Sequence, residues 1–175
     1  GGLLRRLNIA CGIAHKPKLI IMDEPTVAVD PQSRNKILEG ILELNRQGAT
    51  VIYTSHYMEE VEQICSRIMI LDNGRAIATG TKEELKAMIS TGEKITVESY
   101  GISDEQISKL CKLPNIISVA YKNQILEIKS GKGANNLEII LDFIKKEGIR
   151  YGRVYSELPT LNDVFLEITG KELRD

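Results

Sequence analysis

Three short runs of mostly apolar residues limit what this chain can fold into. They are LIIMD at 19–23, TVIYTS at 50–55 and RIMILD at 67–72, and all are rich in β-branched side chains. None alternates cleanly between apolar and polar residues. Strands that are apolar on both faces are typical of a parallel sheet covered on both sides by helices, so the runs predict an α/β fold.

The segment between the first two runs has the features of a crossover helix. Asp30 can cap the start of a helix, Pro31 suits its first position, and Gly48 is expected to end it. Apolar residues recur in between at helical spacing, at Ile37, Leu38, Ile41, Leu42 and Leu44. Together with its flanking strands, this segment predicts one complete βαβ unit with parallel strands.

Shorter elements are expected to follow the βαβ unit. A second helix over 58–64 is expected to link the second and third apolar runs. The Asn-Gly pair at 73–74 is a preferred sequence for a tight hairpin turn and predicts a short returning strand. Thr81 and Glu84 form a capping-box pattern, which predicts a closing helix.

The character of the sequence changes near residue 91, so we expect a first domain over 1–91 and a second over 92–175. The second is predicted to contain strand, helix, strand, strand, helix and strand, at 94–99, 103–111, 116–121, 124–129, 135–147 and 151–155. This βαββαβ order is that of a ferredoxin-like α+β domain, in which helices cover one face of an antiparallel sheet. A last helix, signalled by the capping pair Thr160 and Asp163, is expected to dock on one of the domains.

Composition and charge exclude several classes of protein. A chain of 175 residues with 42% hydrophobic and 27% charged residues has the balance of a globular protein. A net charge of −1 gives no general attraction for nucleic acid, so no nucleic-acid partner is expected. No apolar stretch reaches the roughly 18 residues needed to cross a bilayer. The cysteines are far apart in the sequence and indicate small core residues in a reducing, cytoplasmic compartment.

The first apolar run ends on two adjacent carboxylates, Asp23 and Glu24, followed by Pro25. A single acid there could lie in a turn or cap a helix, but two place repelling charges at the edge of a hydrophobic sheet. A cation or a reacting water is therefore expected beside them. His56 follows the second run, at the edge where ligands of open α/β sheets bind, although a lone histidine at a strand end is more often structural.

The chain opens with Gly1 and Gly2, which precede a helix that is expected to stop before Pro17. Two glycines let a ligand approach the backbone closely, and the unpaired N–H groups of a helix start suit a phosphate. Taken alone, these glycines are better explained as the end of a loop, since short glycine motifs match by chance.

Four motifs occur in one order: GG before a helix, then LIIMDEP, then VDP, then TSH after the next strand. In this order and spacing they resemble the motifs of ATP-binding cassette (ABC) ATPases. The resemblance matches the signature motif to Gly1 and Gly2, the Walker B pair to Asp23 and Glu24, the D-loop to 29–31, and the switch histidine to His56. The segments RRLNIA, DEPTVAVDPQSR and LNDVFLEITGKELRD are similar to ATPase subunits of bacterial drug and polysaccharide exporters.

ATP hydrolysis requires Mg²⁺ on the β- and γ-phosphates and a water in line with the γ-phosphorus. Side chains alternate at a strand end, so Asp23 can face the metal through water while Glu24 faces the attacking water. The resemblance implies that Glu24 is the general base and that His56 contacts the γ-phosphate. Asp30 is accounted for as a helix cap, to which the resemblance adds a D-loop role in a dimer. ATP and Mg²⁺ are the implied cofactors.

The sequence departs from the ABC pattern at a few places. Ala28 stands where the family often has glycine, which matters if the backbone there has a positive φ. Leu3 stands where many relatives have glutamine, which removes a polar group from the helix start. Nothing matches the phosphate-binding loop GxxxxGK followed by Ser or Thr, since SGKGAN at 130–135 lacks its spacing. That loop is expected upstream of Gly1.

The expected fold is a partial P-loop NTPase core of the α/β class, with parallel strands and crossover helices, followed by the small ferredoxin-like α+β domain. The resemblance implies that the intact protein hydrolyses ATP as a head-to-tail dimer with a second ATPase subunit and drives membrane-spanning permease subunits. It would lie in the cytoplasm, peripherally on the inner face of the cell membrane. The 175-residue chain by itself is expected to be inactive.

Two other classes of function stay open at this point. ABC-type ATPases of chromosome maintenance or DNA repair share the signature and Walker B motifs but adjoin a long coiled coil, and no heptads occur here. In the other class, the chain is a non-enzymatic fragment whose C-terminal domain alone binds or regulates.

Overall fold

The computed structural model describes residues 2–133 and 135–170, which fold as two compact units. The first unit runs to Lys82, and the second begins at Glu83. The helix at 82–88 groups almost wholly with the second unit. The sequence instead places it in the first domain, before an expected boundary at 91–92. Gly1, which is predicted to contact nucleotide, lies outside the described residues.

The first unit begins with helices and parallel strands and ends in a hairpin. Its elements are α1 (Gly2–Ile13), β1 (Leu19–Asp23), α2 (Pro31–Arg46), β2 (Thr50–Thr54), α3 (Met58–Ile64), β3 (Ile68–Asp72) and β4 (Arg75–Gly80). β1 and β2 pair in parallel, from Leu19 opposite Thr50 to Asp23 opposite Thr54, with α2 as the crossover. The predicted βαβ unit is therefore present.

Helix α2 forms where the sequence predicts it because both of its ends carry suitable residues. The Ser33 backbone N–H donates a hydrogen bond to Asp30 Oδ1 at 2.9 Å, and Pro31 occupies the first helical position. That hydrogen bond holds the pKa of Asp30 below its usual value. Beyond the helix, Gly48 has a φ of 101°, which glycine adopts without the steric penalty of a side chain.

The core of the first unit lies between α2 and one face of the β1–β2 sheet. It consists of Ile20, Met22, Leu38, Ile41 and Ala49, all buried, against which Ile9 and Ile13 of α1 also pack. Each fully buried large aliphatic side chain stabilises the folded state by about 1.5–3 kcal/mol relative to leaving it in water. The helical stripe predicted for α2 is thus the face that covers the sheet.

The opposite face of β1 and β2 is largely exposed, although the sequence predicts that both faces are covered. Leu19, Ile21 and Ile52 are 54%, 68% and 48% exposed. The apolar side chains of α1 and α2 that the structure describes as packed on this sheet lie against the cluster that contains Ile20 and Met22. The continuous apolar character of these strands is therefore matched by helix packing on one side alone.

The predicted hairpin at Asn73 and Gly74 is present, and β3 pairs antiparallel with the returning strand β4. β3 differs from the prediction in that it does not extend the parallel sheet but lies in a separate two-stranded sheet. The hairpin itself is set locally, because Asn73 and Gly74 both have positive φ, of 49° and 74°. Two such residues in succession form the turn that joins antiparallel strands directly.

The second unit contains a helix, then a mixed sequence of strands and helices. Its elements are α4 (Lys82–Met88), β5 (Thr91–Ser99), α5 (Asp104–Leu110), β6 (Ile116–Lys122), β7 (Ile125–Gly131), α6 (Asn136–Lys146), β8 (Tyr151–Glu157) and α7 (Leu161–Thr169). The four strands form one antiparallel sheet in the order β6-β7-β5-β8. The predicted βαββαβ order of elements is observed.

One continuous core holds the second unit together. Its fully buried members come from β5, β7, α5 and α6, and are Ile95, Val97, Leu126, Ile128, Leu110, Ile140 and Ile144. Along β5 and β7 these residues occur at every second position, as expected for strands with one face against helices. The alternation in the sequence therefore decides which face of this sheet α5 and α6 cover.

Helix α7 is fixed at both ends. Thr160 and Asp163 form the predicted capping box at its start, and Leu161 in its first turn is fully buried. Near its end, the Glu167 carboxylate accepts hydrogen bonds from the Ser90 backbone N–H and hydroxyl, each at 2.6 Å, and from the Thr91 hydroxyl at 2.8 Å. Burial acts to raise the pKa of Glu167, but these hydrogen bonds outweigh it and lower the pKa.

The three cysteines lie mostly at the surface. Cys11 and Cys111 are exposed and only Cys65 is partly buried, so the prediction that the cysteines are core residues is wrong for two of the three. Cys11 lies on the solvent side of α1, and Cys111 caps the end of α5. Among the described helices, none combines the length and apolar character that a bilayer span requires.

We predict that Glu167→Ala destabilises the chain by about 1–2 kcal/mol at pH 7, because three donors lose their shared acceptor. The pKa of Glu167 is lowered in the folded state, so its contribution is present above the unfolded pKa of about 4.3 and is lost as the pH falls through the folded value. Urea unfolding of both proteins at neutral and acidic pH measures the difference.

Asp142→Ala is the control, since Asp142 is an exposed acid on α6. It should change the free energy of unfolding little at either pH. A Glu167→Ala deficit that stays the same from pH 7 to pH 3 would show that the carboxylate does not stabilise through its charge.

Candidate functional site

The carboxyl ends of β1 and β2 bring three of the predicted site residues together. The Thr54 hydroxyl donates to Asp23 Oδ1 at 2.5 Å, and the Glu24 backbone N–H donates to the Thr54 carbonyl at 3.1 Å. His56 Nδ1 lies 3.1 Å from Glu24 Oε1. Asp23, Glu24 and His56 therefore form one cluster at an edge of the parallel sheet, with Thr54 between its members.

Glu24 adopts a backbone conformation that is rare for a residue with a side chain. Its φ is 45°, in the left-handed region, which costs a non-glycine residue about 1 kcal/mol or more. A tight turn follows, in which the Val27 N–H donates to the Glu24 carbonyl at 3.4 Å and the Val29 N–H to the Thr26 carbonyl at 3.1 Å. The turn directs the Glu24 side chain, which is 45% exposed, toward His56.

The residues of the cluster fit Mg²⁺ only when a ligand shares its coordination. Among the described residues, no group of three or more His, Cys, Asp or Glu side chains could hold a metal ion. Asp23 is exposed at the strand end and supplies a single carboxylate. Mg²⁺ is commonly held in this way, by one or two carboxylates together with waters and the phosphates of a substrate.

The loop that carries His56 is held by aromatic contacts. The His56 ring centroid lies 4.2 Å from that of Tyr57, with the planes tilted by 40°. The Arg34 guanidinium lies 4.6 Å from the centroid of the Tyr57 ring, at cation–π distance. The His56 side chain keeps 31% of its surface exposed, so part of the ring is accessible from solvent.

The described contacts of Gly2 and Asp30 are with residues outside the cluster. A Cβ built on Gly2 would meet only the Ala28 carbonyl oxygen, at 3.8 Å, so packing within the described residues does not require glycine there. Asp30 bonds to Ser33 as a helix cap, and Ser33 also accepts from Arg6 Nη1 at 3.4 Å, which ties α1 to α2. The starts of these two helices are therefore neighbours, joined by contacts of their own.

A buried carboxylate that the sequence motifs do not include also lies in the first unit. Glu60 on α3 is 3% exposed and accepts hydrogen bonds from the side chains of Thr26, Tyr53 and Ser55. Burial and the hydrogen bond to Glu60 raise the pKa of Tyr53. The sequence does carry a signal for this residue, because Glu60 is adjacent to Val61, and these two are the buried residues of α3. An acid on the apolar face of a short helix indicates a polar network.

Ala28, which stands where ABC ATPases often have glycine, adopts a backbone conformation that favours glycine. Ala28 has a φ of 60°, so its Cβ is strained in the left-handed region where glycine is not. It is exposed in the turn between β1 and α2. Leu3, the other departure, is 75% exposed in the first turn of α1.

We predict that Ala28→Gly raises the free energy of unfolding by about 0.5–1 kcal/mol, because relief of the strain exceeds the added entropy of the unfolded chain. Urea unfolding measures the change. Ala10→Gly, in the interior of α1, is the matched control and should lower stability by a similar amount. If both substitutions destabilise equally, the left-handed strain at Ala28 is not present in solution.

Known proteins are similar to this chain over its whole length. The family described as "ATP-binding protein DrrA1-3-like, C-terminal domain" matches residues 80–169. The chain is 42% identical over 179 residues to the linearmycin resistance ATP-binding protein LnrL of Bacillus subtilis (strain 168), covering 100% of this chain and 57% of that protein. It is 32% identical over 178 residues to the Nod factor export ATP-binding protein I of Sinorhizobium fredii (strain NBRC 101917 / NGR234), covering 100% and 48%.

A third relative is the daunorubicin resistance ATP-binding protein DrrA3 of Streptomyces coeruleorubidus, which is 32% identical over 175 residues and matches 99% of this chain and 55% of its own length. The chain thus spans about half the length of the curated relatives it matches. These matches confirm the predicted resemblance to the ATP-binding subunits of ABC transporters. The chain belongs to the DrrA1-3-like family of ATP-binding proteins.

Proposed function

We propose that this chain is part of the ATP-hydrolysing subunit of an ABC exporter, and that Asp23, Glu24 and His56 act at the γ-phosphate. The observation that carries the proposal is the contact of His56 Nδ1 with Glu24 Oε1 at 3.1 Å, next to Asp23, where two parallel strands end. Open α/β sheets bind their ligands at that edge. The names of the export and drug-resistance relatives support the transport role.

In the proposed reaction Glu24 accepts a proton from the attacking water. Its exposed carboxylate, held by the turn after β1, can orient a water while Oε1 faces His56. When the His56 ring is protonated, Nδ1–H donates to Glu24 and Nε2–H is available to a phosphate oxygen. Asp23 would hold Mg²⁺, which when bound neutralises charge on the β- and γ-phosphates. The Thr54 hydroxyl keeps the Asp23 carboxylate in place.

Gly1, Gly2 and Asp30 are proposed to serve the site of a second copy in a head-to-tail dimer. Their support is the position of Gly2 and Asp30, whose contacts lie with Ala28 and Ser33, apart from the hydrogen-bonded cluster of Asp23, Glu24 and His56. The N-terminus of α1 carries a partial positive charge that suits a phosphate. No acidic residue occurs in its first described turn to oppose an anion.

The phosphate-binding loop of the intact subunit is proposed to come from residues outside these 175. Two observations support this: the printed sequence contains no GxxxxGK motif, and Leu19, Ile21 and Ile52 expose an apolar sheet face. A P-loop NTPase core would cover that face. The intact subunit would act with membrane-spanning permease subunits, peripherally on the inner face of the cell membrane.

We also propose that the second unit is a ferredoxin-like domain. Its βαββαβ element order, its antiparallel sheet order β6-β7-β5-β8 and its core of α5 and α6 against the sheet support this assignment. No candidate catalytic residue lies in its described part. Its role would be to contact a partner or to brace the subunit.

We predict that Glu24→Gln, made in the natural protein that contains this chain, lowers ATP hydrolysis by about 100-fold or more. Glutamine keeps the size and the hydrogen bonding of the side chain but cannot accept the proton. Binding of ATP should persist, since Glu24 is proposed to contact the water. Steady-state ATPase assays and equilibrium binding of a fluorescent ATP analogue measure the two effects.

Glu39→Gln is the matched control, because Glu39 is an exposed acid on α2, and it should keep normal turnover. A Glu24→Gln protein that hydrolyses ATP at the rate of the unchanged protein would rule out Glu24 as the base. Loss of ATP binding with Glu24→Gln would instead place the side chain on the nucleotide.

We predict that the 175-residue chain alone neither hydrolyses ATP nor binds it tightly, because carboxylates without a phosphate-binding loop repel the nucleotide. A ligand at a hundredfold excess over Kd stabilises the folded state by about 2.7 kcal/mol, which thermal melting would show. No shift is expected with millimolar Mg-ATP. Light scattering should show self-association through the exposed face of β1 and β2. A saturable shift with ATP would contradict the proposal.

A further inference from the structure

Glu60 is a buried carboxylate in the first unit with an unusual set of partners. Its Oε2 accepts from the Tyr53 hydroxyl at 2.6 Å, the Thr26 hydroxyl at 2.8 Å and the Ser55 hydroxyl at 3.0 Å. Only 3% of the residue is exposed, and Thr26 is completely buried. One carboxylate oxygen thus accepts hydrogen bonds from three side-chain hydroxyl groups inside the fold.

The three hydroxyl groups belong to the two segments that carry the proposed catalytic side chains. Thr26 is two residues after Glu24, in the turn that leaves β1, and Ser55 directly precedes His56. Tyr53 anchors the same network to β2. Ser55 also accepts from the Tyr57 N–H at 3.0 Å, so the chain on both sides of His56 is held. Glu60 therefore joins the Glu24 and His56 segments from inside the fold, in addition to their direct contacts.

The other carboxylate oxygen faces α2. Arg34 Nε lies 3.3 Å from Glu60 Oε1, as an ion pair outside ideal hydrogen-bond alignment. The same guanidinium lies over the Tyr57 ring, next to His56. Asp30 caps the helix that carries Arg34. Through Arg34, the hydrogen-bond and ion-pair network of Glu60 thus also reaches α2.

A contribution to the stability of the fold does not by itself explain why residue 60 is a glutamate. Burying a charge is expensive, and replacing a buried ion pair by apolar side chains of similar volume is often neutral or stabilising. An apolar residue could fill the space beneath Thr26 and Tyr53, but it could not hold three hydroxyl groups at fixed positions. What the carboxylate adds is geometry, namely the placement of the Glu24 segment relative to the His56 segment.

We propose that Glu60 is a positioning residue for ATP hydrolysis, which sets the distance between Glu24 and His56 by holding Thr26 and Ser55. This inference rests on the proposed function. Glu60 is too deeply buried to touch nucleotide, so its loss should misplace the attacking water and leave the affinity for ATP intact. A residue that only stabilises the fold would change the melting temperature without changing turnover of the folded enzyme.

The test uses the natural protein that contains this chain, with kcat, KM for ATP and melting temperature measured for each variant. Glu60→Ala removes the acceptor and should lower kcat about tenfold or more, with KM within about twofold of normal. Glu60→Gln keeps an oxygen for the hydroxyl groups and should return kcat to within about threefold of normal. Glu59→Gln, an exposed neighbour on α3, is the matched control and should change neither constant.

Two milder variants keep the proposal testable if Glu60→Ala does not fold. Thr26→Val and Ser55→Ala each remove one hydroxyl while leaving Glu60 paired with Arg34. Each should lower kcat about three- to tenfold without raising KM. Normal kcat in both would overturn the positioning role, as would a Glu60→Ala protein that melts earlier but turns over normally.

The controls separate this inference from the proposed function. An unchanged protein without ATPase activity overturns both. An active protein in which Glu24→Gln abolishes turnover while Glu60→Ala does not overturns only the role of Glu60. A Glu60→Ala protein with normal kcat and a tenfold higher KM places Glu60 in nucleotide binding and contradicts the inference.

Discussion

The parallel pairing of β1 with β2 is the constraint on which the candidate site depends. Parallel register puts Asp23 opposite Thr54, so the segments that carry Glu24 and His56 leave the sheet at the same edge. An antiparallel pair joined by a short turn would have put the two segments at opposite ends. The pairing is parallel because α2 carries the chain back along the sheet. That helix is secured by the Asp30 cap and by Leu38 and Ile41 against the sheet.

Strained backbone and a buried polar side chain occur together where β1 passes into α2. Glu24 and Ala28 both have left-handed backbone there, although neither is glycine. Thr26 between them is completely buried and bonded to Glu60. A strained turn persists only where its surroundings fix it, and a buried carboxylate with three donors is such a fixing point. Stability and site geometry are thus coupled in one short connection.

The residues that match the family model and the candidate site residues lie in different units of the chain. The DrrA1-3-like match over 80–169 falls almost wholly on the second unit, which begins at Glu83. Asp23, Glu24, His56 and Asp30 all lie in the first unit. The three relatives cover both units, at 99% or 100% of the chain. The second unit has a hydrophobic core of its own, whose buried members all come from that unit.

The sequence by itself determined the elements, because caps, turns and apolar spacing act locally. It predicted α2 from Asp30 and Gly48, the capping box at Thr160, and the clustering of Asp23, Glu24 and His56. It could not determine that the third run stays out of the β1–β2 sheet, nor that one face of that sheet is exposed among the described residues. Pairing partners and coverage depend on residues distant in sequence. For the same reason only the tertiary structure revealed Glu60, whose partners Thr26 and Tyr53 come from other elements and meet it only in the folded chain.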